Sequence, residues 1–122
     1  MARILVIDDE AEQRDHIAGV LRAAGHQVQA VGSGKEALAS LGAAPPALIV
    51  CDLMMPDMDG QEVLEKVRAD PSTSAVPLIF LTAMRFAGGR NEAKGMGAQG
   101  MLVKPFTAQA LNDLVNELLK PA

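Results

Sequence analysis

Polar side chains follow directly after, or end, short apolar runs at four places in this sequence. They are Asp8 with Asp9, Asp52, Thr82 and Lys104. Three carboxylates in one crevice repel each other at neutral pH, so such a cluster needs a cation, and all-oxygen ligands suit Mg²⁺. The lysine adds a compact positive charge, and the threonine adds a hydroxyl donor. This combination predicts phosphoryl transfer, in which a carboxylate can itself be the acceptor.

The apolar runs predict the strands that position these side chains. Runs at 3–7, 27–31, 47–51, 77–81 and 100–103 are short, and the clearest of them are continuously apolar, which is typical of strands buried on both faces of a parallel sheet. Ligands of such sheets bind outside the carboxyl ends of the strands. The polar side chains therefore stand where a site is expected.

Helical segments alternate with the strands. Apolar spacing predicts helices over about 11–24, around 37–41, from 60 to about 70 and around 111–119, with a glycine-rich helical segment after the fourth strand. Asp9 is predicted to cap the first helix and Gly25 to end it. Five strands alternating with five helical segments predict a doubly wound (βα)5 fold of the α/β class, with a parallel sheet.

Composition limits the class of protein. The 122 residues have the size of one domain, which we place at 1–122. A formal net charge of −4 without a Lys/Arg cluster, and the absence of Trp and Tyr, argue against direct nucleic-acid binding. The apolar runs are too short to span a membrane. The single cysteine, Cys51, is predicted to be a buried apolar side chain in a protein of the reducing cytoplasm.

Four motifs together resemble the response-regulator receiver domains of two-component systems, and especially the single-domain chemotaxis regulators. They are Ile7–Asp9, Asp52–Gly60, Leu81–Ala83 and Lys104–Phe106, in the family's order and spacing. The resemblance covers nearly the whole chain. It implies a flavodoxin-like fold with strand order 2-1-3-4-5. It also implies a signalling domain that catalyses only its own phosphorylation and dephosphorylation.

The resemblance also implies a chemical role for each site residue. Asp52 takes a phosphoryl group from a partner histidine kinase or histidine phosphotransfer protein. Mg²⁺ is held by Asp9, Asp52 and the backbone carbonyl of Met54, with Asp8 helping through water. Thr82 and Lys104 hold the phosphoryl oxygens, and the peptide before Pro105 is expected to be cis.

The way in which the signal leaves the site is expected to differ from the family's usual form. Thr82 and the residue three positions before the lysine are the family's switch; that residue is usually aromatic, but it is Met101 here. Gly88, Gly89 and Gly95 each cost roughly 1 kcal/mol against Ala inside a helix. We therefore expect residues 85–96 to be short or partly disordered before phosphorylation. Activation would order or shift this region on the face formed by the fourth helix, fifth strand and fifth helix, and so alter the binding of a downstream protein.

Two further expectations concern the surface around the site. Met54 and Met84 occupy the positions that flank the hydrolytic water in the family, and their apolar side chains predict slow loss of the phosphoryl group. The resemblance also implies that the kinase docks on the first helix and on the loop near Pro105. The helix residues predicted to lie opposite its buried face are Ala11, Arg14, Asp15 and Ala18.

Other interpretations of the same residues stay open. Asp8 and Asp9 alone could be a helix N-cap and its neighbour. The stretch 32–37, followed later by Asp52, loosely imitates a dinucleotide-binding fingerprint, but that interpretation leaves Thr82 and Lys104 unexplained. A third possibility is a binding module that keeps the receiver fold without phosphorylation. The sequence also leaves open the cognate kinase, and whether the chain is a free-standing regulator or a piece of a longer protein.

Overall fold

The computed structural model of the chain describes residues 2–41, 44–83 and 97–119. The strands are β1 (Arg3–Ile7), β2 (Gln27–Val31), β3 (Leu48–Asp52), β4 (Leu78–Thr82) and β5 (Gly100–Val103). The helices in the described part are α1 (Ala11–Ala23), α2 (Gly34–Ser40), α3 (Gly60–Ala69) and α4 (Ala108–Leu119). The helix labelled α4 corresponds to the fifth helical segment of the sequence prediction. The glycine-rich segment 85–96, which was predicted to be short or partly disordered, and Met84 lie outside the described residues.

The strands form one parallel sheet in the order β2-β1-β3-β4-β5. This confirms the predicted α/β fold and its strand order. Every residue of β3 and of β4 is buried. Strands in the middle of a parallel sheet are covered by helices on both faces, which is why these two appear in the sequence as continuous apolar runs.

Each face of the sheet carries its own apolar layer. Helices α1 and α4 cover one face through side chains such as Ile17 and Leu111. Helices α2 and α3 cover the other face, where Val63 and Leu64 pack in the same cluster as Phe80. None of the described helices is long and apolar enough to cross a membrane.

The strand boundaries set the position of the site. Strands β3 and β4 begin and end one residue later than predicted, so Asp52 and Thr82 are their last residues. Asp52 is in register with Leu81 on β4, and Thr82 is in register with Val103 on β5. Neighbouring strands of a sheet lie about 4.8 Å apart, so Asp52 and Thr82 are close to each other at the same edge of the sheet.

The start of α1 differs from the prediction. The N-cap residue is Glu10 rather than Asp9, and the Glu10 side chain makes no capping hydrogen bond. Oδ1 of Asp8 instead accepts a hydrogen bond from the Glu10 N–H at 3.0 Å. The predicted end of the helix is confirmed, because α1 stops at Ala23 and Gly25 follows with a φ of 97°.

The buried side of α1 was also predicted incompletely. Ala18 was expected on the exposed side but is buried with Ile17 and Leu21. Its side chain precedes Leu21 by three residues, so the two share the packed side of the helix. The contact surface of α1 is therefore wider than the spacing of its large apolar residues indicates.

Arg68 on α3 holds the segment that leads into β5. Its guanidinium donates to the carbonyl of Val76 at 2.7 Å, to the carbonyl of Gly97 at 3.1 Å and to Oε1 of Gln99 at 2.8 Å. Burial lowers the pKa of the Arg68 guanidinium. Nothing in the residue pattern predicted this contact.

Candidate functional site

Three carboxylates meet at the carboxyl edge of the sheet. Asp8 follows β1, Asp52 ends β3, and Asp9 lies beside them. One carboxylate oxygen from each lies within 4.8 Å of the others. Asp8 and Asp52 are buried, at 0% and 4% exposure, whereas Asp9 is exposed. The cluster therefore has two buried members and one that faces solvent.

The Asp8 carboxylate is only half satisfied by the protein. Its Oδ1 accepts the Glu10 N–H, but its Oδ2 has no hydrogen-bond partner among the described residues. Burial raises the pKa of the Asp8 carboxyl, and the neighbouring charges of Asp52 and Asp9 add to this effect. The hydrogen bond from Glu10 and the ammonium of Lys104 act in the opposite direction. Burial dominates, so the charged form of Asp8 is disfavoured in the metal-free protein.

Lys104 supplies the positive charge nearest to this cluster in the described structure. Its Nζ lies 3.4 Å from Oδ2 of Asp52 and 3.8 Å from Oδ2 of Asp8. The main chain fixes its base, because the Lys104 N–H donates to the carbonyl of Thr82 at 2.7 Å. The peptide between Lys104 and Pro105 is cis, which confirms that prediction.

The loop after β3 brings its backbone close to the Asp52 carboxylate. The Met54 N–H donates to Oδ1 of Asp52 at 3.4 Å, and the Met54 side chain is 60% exposed. A methyl group added at Gly60 would lie 2.6 Å from the carbonyl oxygen of Asp52. Asp59 begins α3, since its Oδ1 accepts the Glu62 N–H at 2.9 Å. Gly60 and Asp59 thus keep the loop tight against the end of β3.

The remaining predicted site residues lie on β4 and β5. Thr82 is fully buried at the end of β4, next to Asp52 at the end of β3. Met101 on β5 is half-buried and packs against the apolar layer that α2 and α3 cover. The structure thus places Thr82 at the carboxyl edge with Asp8, Asp52 and Lys104. Met101 lies farther from that edge, in register with Phe80 on β4.

Arg14 is a residue near the site that the sequence interpretation placed differently. It was expected on the surface that meets the kinase, but it is half-buried, and its Nη1 donates to the backbone carbonyl of Asp8 at 3.0 Å. Helical spacing shows which face a residue occupies, but not where a long side chain ends. A charge reversal at Arg14 would therefore disturb the acidic cluster as well as any docking surface.

The glycine-rich stretch after β2 has structural roles. Oγ of Ser33 caps α2 by accepting the Glu36 N–H at 3.1 Å. A methyl group added at Gly34 would lie 2.8 Å from Sδ of Met58 and from Cγ2 of Val63. These contacts explain the two residues by capping and packing, so neither needs a bound dinucleotide to account for it.

The acidic cluster fits a hard divalent cation. Its donors are all carboxylate oxygens, and the buried Oδ2 of Asp8 lacks a hydrogen-bond partner among the described residues. Exposed Asp9 leaves the cluster open to solvent on one side, as suits an ion that retains several waters. Asp8, Asp9 and Asp52 are therefore the residues of the described structure that could hold Mg²⁺.

Comparison with known proteins identifies one family. Residues 4–116 match the family model described as the response regulator receiver domain. The chain is 37% identical to a probable transcriptional regulator ycf27 of Porphyridium aerugineum over 97% of its length, and 34% identical to response regulator Rre1 of Synechocystis over 95%. It is 32% identical to the rice two-component response regulator ORR5 over 96%.

These relatives differ in length. The chain spans about half the length of the first two, 48% and 51%, but 88% of the rice protein. Among solved structures, the chemotaxis protein CheY4 of Vibrio cholerae is similar with a TM-score of 0.90 and 34% identity, covering 98% of this chain and 99% of that one. A putative response regulator from Chloroflexus aurantiacus gives a TM-score of 0.89 at 32% identity and covers 97% of both chains.

Proposed function

The chain belongs to the response regulator receiver domain family, and from that premise we propose that Asp52 accepts a phosphoryl group in a Mg²⁺-dependent reaction. The donor is a histidine kinase or a histidine phosphotransfer protein. The observation that carries the proposal is the Asp52 carboxylate, nearly buried at the end of β3, 3.4 Å from the Lys104 ammonium and within the acidic cluster. The Lys104 ammonium beside this carboxylate can neutralise negative charge, and the exposed Asp9 leaves the cluster open to solvent.

The reaction that we propose is a transfer between two nucleophiles. A carboxylate oxygen of Asp52 attacks phosphorus and forms the new P–O bond of an aspartyl phosphate. The P–N bond to the donor's histidine breaks, and the ring nitrogen leaves with the bonding electron pair. The protein provides position and charge rather than covalent chemistry beyond the acceptor oxygen.

Several surrounding groups would each stabilise part of the negative charge on the phosphoryl group. Asp9, Asp52 and the carbonyl of Met54 would hold Mg²⁺, with Asp8 acting through water. When bound, this ion neutralises charge on the phosphoryl oxygens. Lys104, which contacts the Asp52 carboxylate in the resting protein, would meet a phosphoryl oxygen. The hydroxyl of Thr82 would donate to another.

We infer that the donor protein approaches between α1 and the loop after β5. Gln13, His16, Lys104, Pro105 and Phe106 line a cavity of about 330 Å³ there. His16 is exposed. The cavity reaches Lys104, whose ammonium lies 3.4 Å from Oδ2 of the proposed acceptor Asp52. A kinase side chain could therefore reach the site along it.

The output that we propose is a change on the side of the sheet that carries β5 and α4. Thr82 stands between the acceptor and that side, since it ends β4 in register with Val103 on β5. Movement of Thr82 toward the phosphoryl group would alter the packing of Met101 and so the binding of a downstream protein. We place this reaction in the cytoplasm, where the buried Cys51 thiol stays reduced.

Phosphorylation by a small donor tests the acceptor. The chain is incubated with acetyl phosphate and Mg²⁺, and the modified residue is located by mass spectrometry after borohydride trapping. We expect modification of Asp52, none with Asp52→Asn or with excess EDTA, and normal modification with Asp57→Asn, an exposed carboxylate of the same loop. Stable phosphate on another residue, or none at all on a folded protein, would refute the proposal; the second result would favour a binding module without phosphorylation.

A further inference from the structure

The backbone carbonyl at the end of β1 is held by a guanidinium. Nη1 of Arg14, on the first turns of α1, donates to the carbonyl of Asp8 at 3.0 Å. Asp8 is fully buried, and its carboxylate belongs to the acidic cluster. The contact therefore lies on the peptide unit that joins Asp8 to Asp9, the two acidic residues that follow β1.

A second contact shows that the guanidinium position is built into the fold. A methyl group added at Gly32, directly after β2, would lie 2.9 Å from Nη1 of Arg14 and 3.9 Å from Oε2 of Glu36. The Gly32 N–H donates to that Glu36 oxygen at 2.9 Å. The turn after β2 thus leaves just enough space for the guanidinium to reach Asp8.

We propose that Arg14 is a positioning residue for the divalent cation site. By holding the Asp8 carbonyl, it fixes the peptide between Asp8 and Asp9 and so the direction in which their carboxylates point. This inference rests on the proposed Mg²⁺ site. It assigns Arg14 to the site through backbone geometry, without direct contact to the ion.

The sign of the effect separates positioning from simple charge. A positive charge near a cation site repels the cation, so if Arg14 acted only by its charge, its removal would tighten Mg²⁺ binding. If Arg14 positions the ligands, its removal must weaken binding instead. Loss of a residue that orients metal ligands typically costs about 10-fold or more in metal affinity.

Gly32 allows the same contact to be broken without removing any charge. In Gly32→Ala the new methyl group displaces the end of the flexible Arg14 side chain, because the nearest atom is Nη1 rather than backbone. Arg14→Met removes the donor and keeps the chain length. Arg14→Lys keeps the charge and one possible donor, and is expected to restore part of the affinity.

Arg22 provides a matched control on the same helix. Its guanidinium also donates to a strand carbonyl, that of Val28, at 3.0 Å. It lies in the last turn of α1, at the opposite end from the acidic cluster. Arg22→Met therefore removes a similar contact away from the site.

The experiment measures Mg²⁺ affinity by isothermal titration calorimetry, at a temperature where far-UV circular dichroism shows each variant folded. We expect affinity about 10-fold weaker in Arg14→Met and in Gly32→Ala, partial recovery in Arg14→Lys, and no change in Arg22→Met. In the double variant Arg14→Met/Gly32→Ala, the glycine substitution should add no further loss, because its target is already gone. If Arg14→Met does not fold, Gly32→Ala and Arg14→Lys decide.

The outcomes keep this inference apart from the proposed function. Parent-like or tighter Mg²⁺ binding in Arg14→Met or Gly32→Ala, together with normal parent binding and phosphorylation of Asp52, would overturn the role of Arg14 alone. Equal losses in Arg14→Met and Arg22→Met would also overturn it, since the effect would then be general to α1. Absence of Mg²⁺ binding by the parent would overturn both proposals.

Discussion

The Lys104 ammonium lies 3.4 Å from Oδ2 of Asp52, and in the described structure this contact is the closest ion pair of the acidic edge. It joins the end of β3 to the residue after β5, with β4 between them. In the unphosphorylated protein the lysine therefore offsets part of the negative charge of Asp8 and Asp52. These are carboxylates of the cluster that would bind the metal ion and accept the phosphoryl group.

Lys104→Met should have opposite effects on metal binding and on phosphorylation. Without the ammonium the cluster is more negative, so Mg²⁺ affinity measured by calorimetry should rise several-fold. The phosphoryl group loses a fixed positive charge, so modification of Asp52 by acetyl phosphate should slow by about 100-fold. Lys66→Met, on the exposed side of α3, serves as the control and should change neither. A fall in both quantities would show that Lys104 acts by holding the fold of the loop.

Asp8→Asn should stabilise the metal-free protein at neutral pH. Burial raises the pKa of the Asp8 carboxyl, so the folded protein holds this proton more tightly than the unfolded chain. The associated stability is fully present below the unfolded pKa of about 4 and is lost as pH rises through the higher folded pKa. The asparagine has no such loss.

Thermal unfolding in EDTA measures this difference. At pH 7 the midpoint of Asp8→Asn should lie above that of the parent; in a domain of this size, each 1 kcal/mol of added stability corresponds to roughly 3–6 °C. The difference should shrink below about pH 4 and on addition of Mg²⁺, which favours the parent. Asp15→Asn, exposed on α1, is the control. A lower midpoint for Asp8→Asn at pH 7 would contradict the assignment of an unfavourable buried charge.

Met54 should prolong the life of the phosphoryl group. Its N–H contacts the Asp52 carboxylate, and its side chain is 60% exposed. The apolar side chain offers no strong hydrogen bond to an attacking water. The variant with Met54→Asn and Met84→Glu should lose phosphate about 5-fold faster or more, the effect of roughly 1 kcal/mol from one added hydrogen bond in the transition state. Met54→Leu stays apolar and should decay like the parent. Phosphate release after removal of the donor gives both rates, and equal rates would refute the prediction.

The sequence predicted the fold because its strongest signals are buried strands. Continuous apolar runs located β3 and β4, and the polar residues that end those strands identified the acidic edge. The strand order came from the family resemblance, since hydrophobic pattern alone carries no information on which strands are neighbours. The one-residue shift at Asp52 and Thr82 is the usual uncertainty of element boundaries.

Long side chains account for what the sequence did not predict. Arg14 and Arg68 look like surface residues on helices, yet each guanidinium crosses to carbonyls of other segments, those of Asp8, Val76 and Gly97. Such contacts depend on the distance between elements, which helical spacing does not contain. The N-cap predicted at Asp9 was wrong for a different reason: the helix begins one residue later, with Glu10 as N-cap, and the Asp8 carboxylate accepts the Glu10 N–H.

Gly60 should be required for the shape of the site, and Gly19 provides the contrast. A methyl group at Gly60 would lie 2.6 Å from the Asp52 carbonyl oxygen and 2.9 Å from Cα of Leu53, and backbone atoms cannot move away cheaply. Gly60→Ala should therefore lower the free energy of unfolding in urea by about 1–3 kcal/mol and slow Asp52 phosphorylation. At Gly19 on α1 the same methyl group meets nothing within 4 Å, so Gly19→Ala should stabilise the protein by about 0.5–1 kcal/mol and leave phosphorylation unchanged. If both alanines were tolerated equally, the loop after β3 would be looser than its contacts indicate, and the fixed position of Asp52 would need another cause.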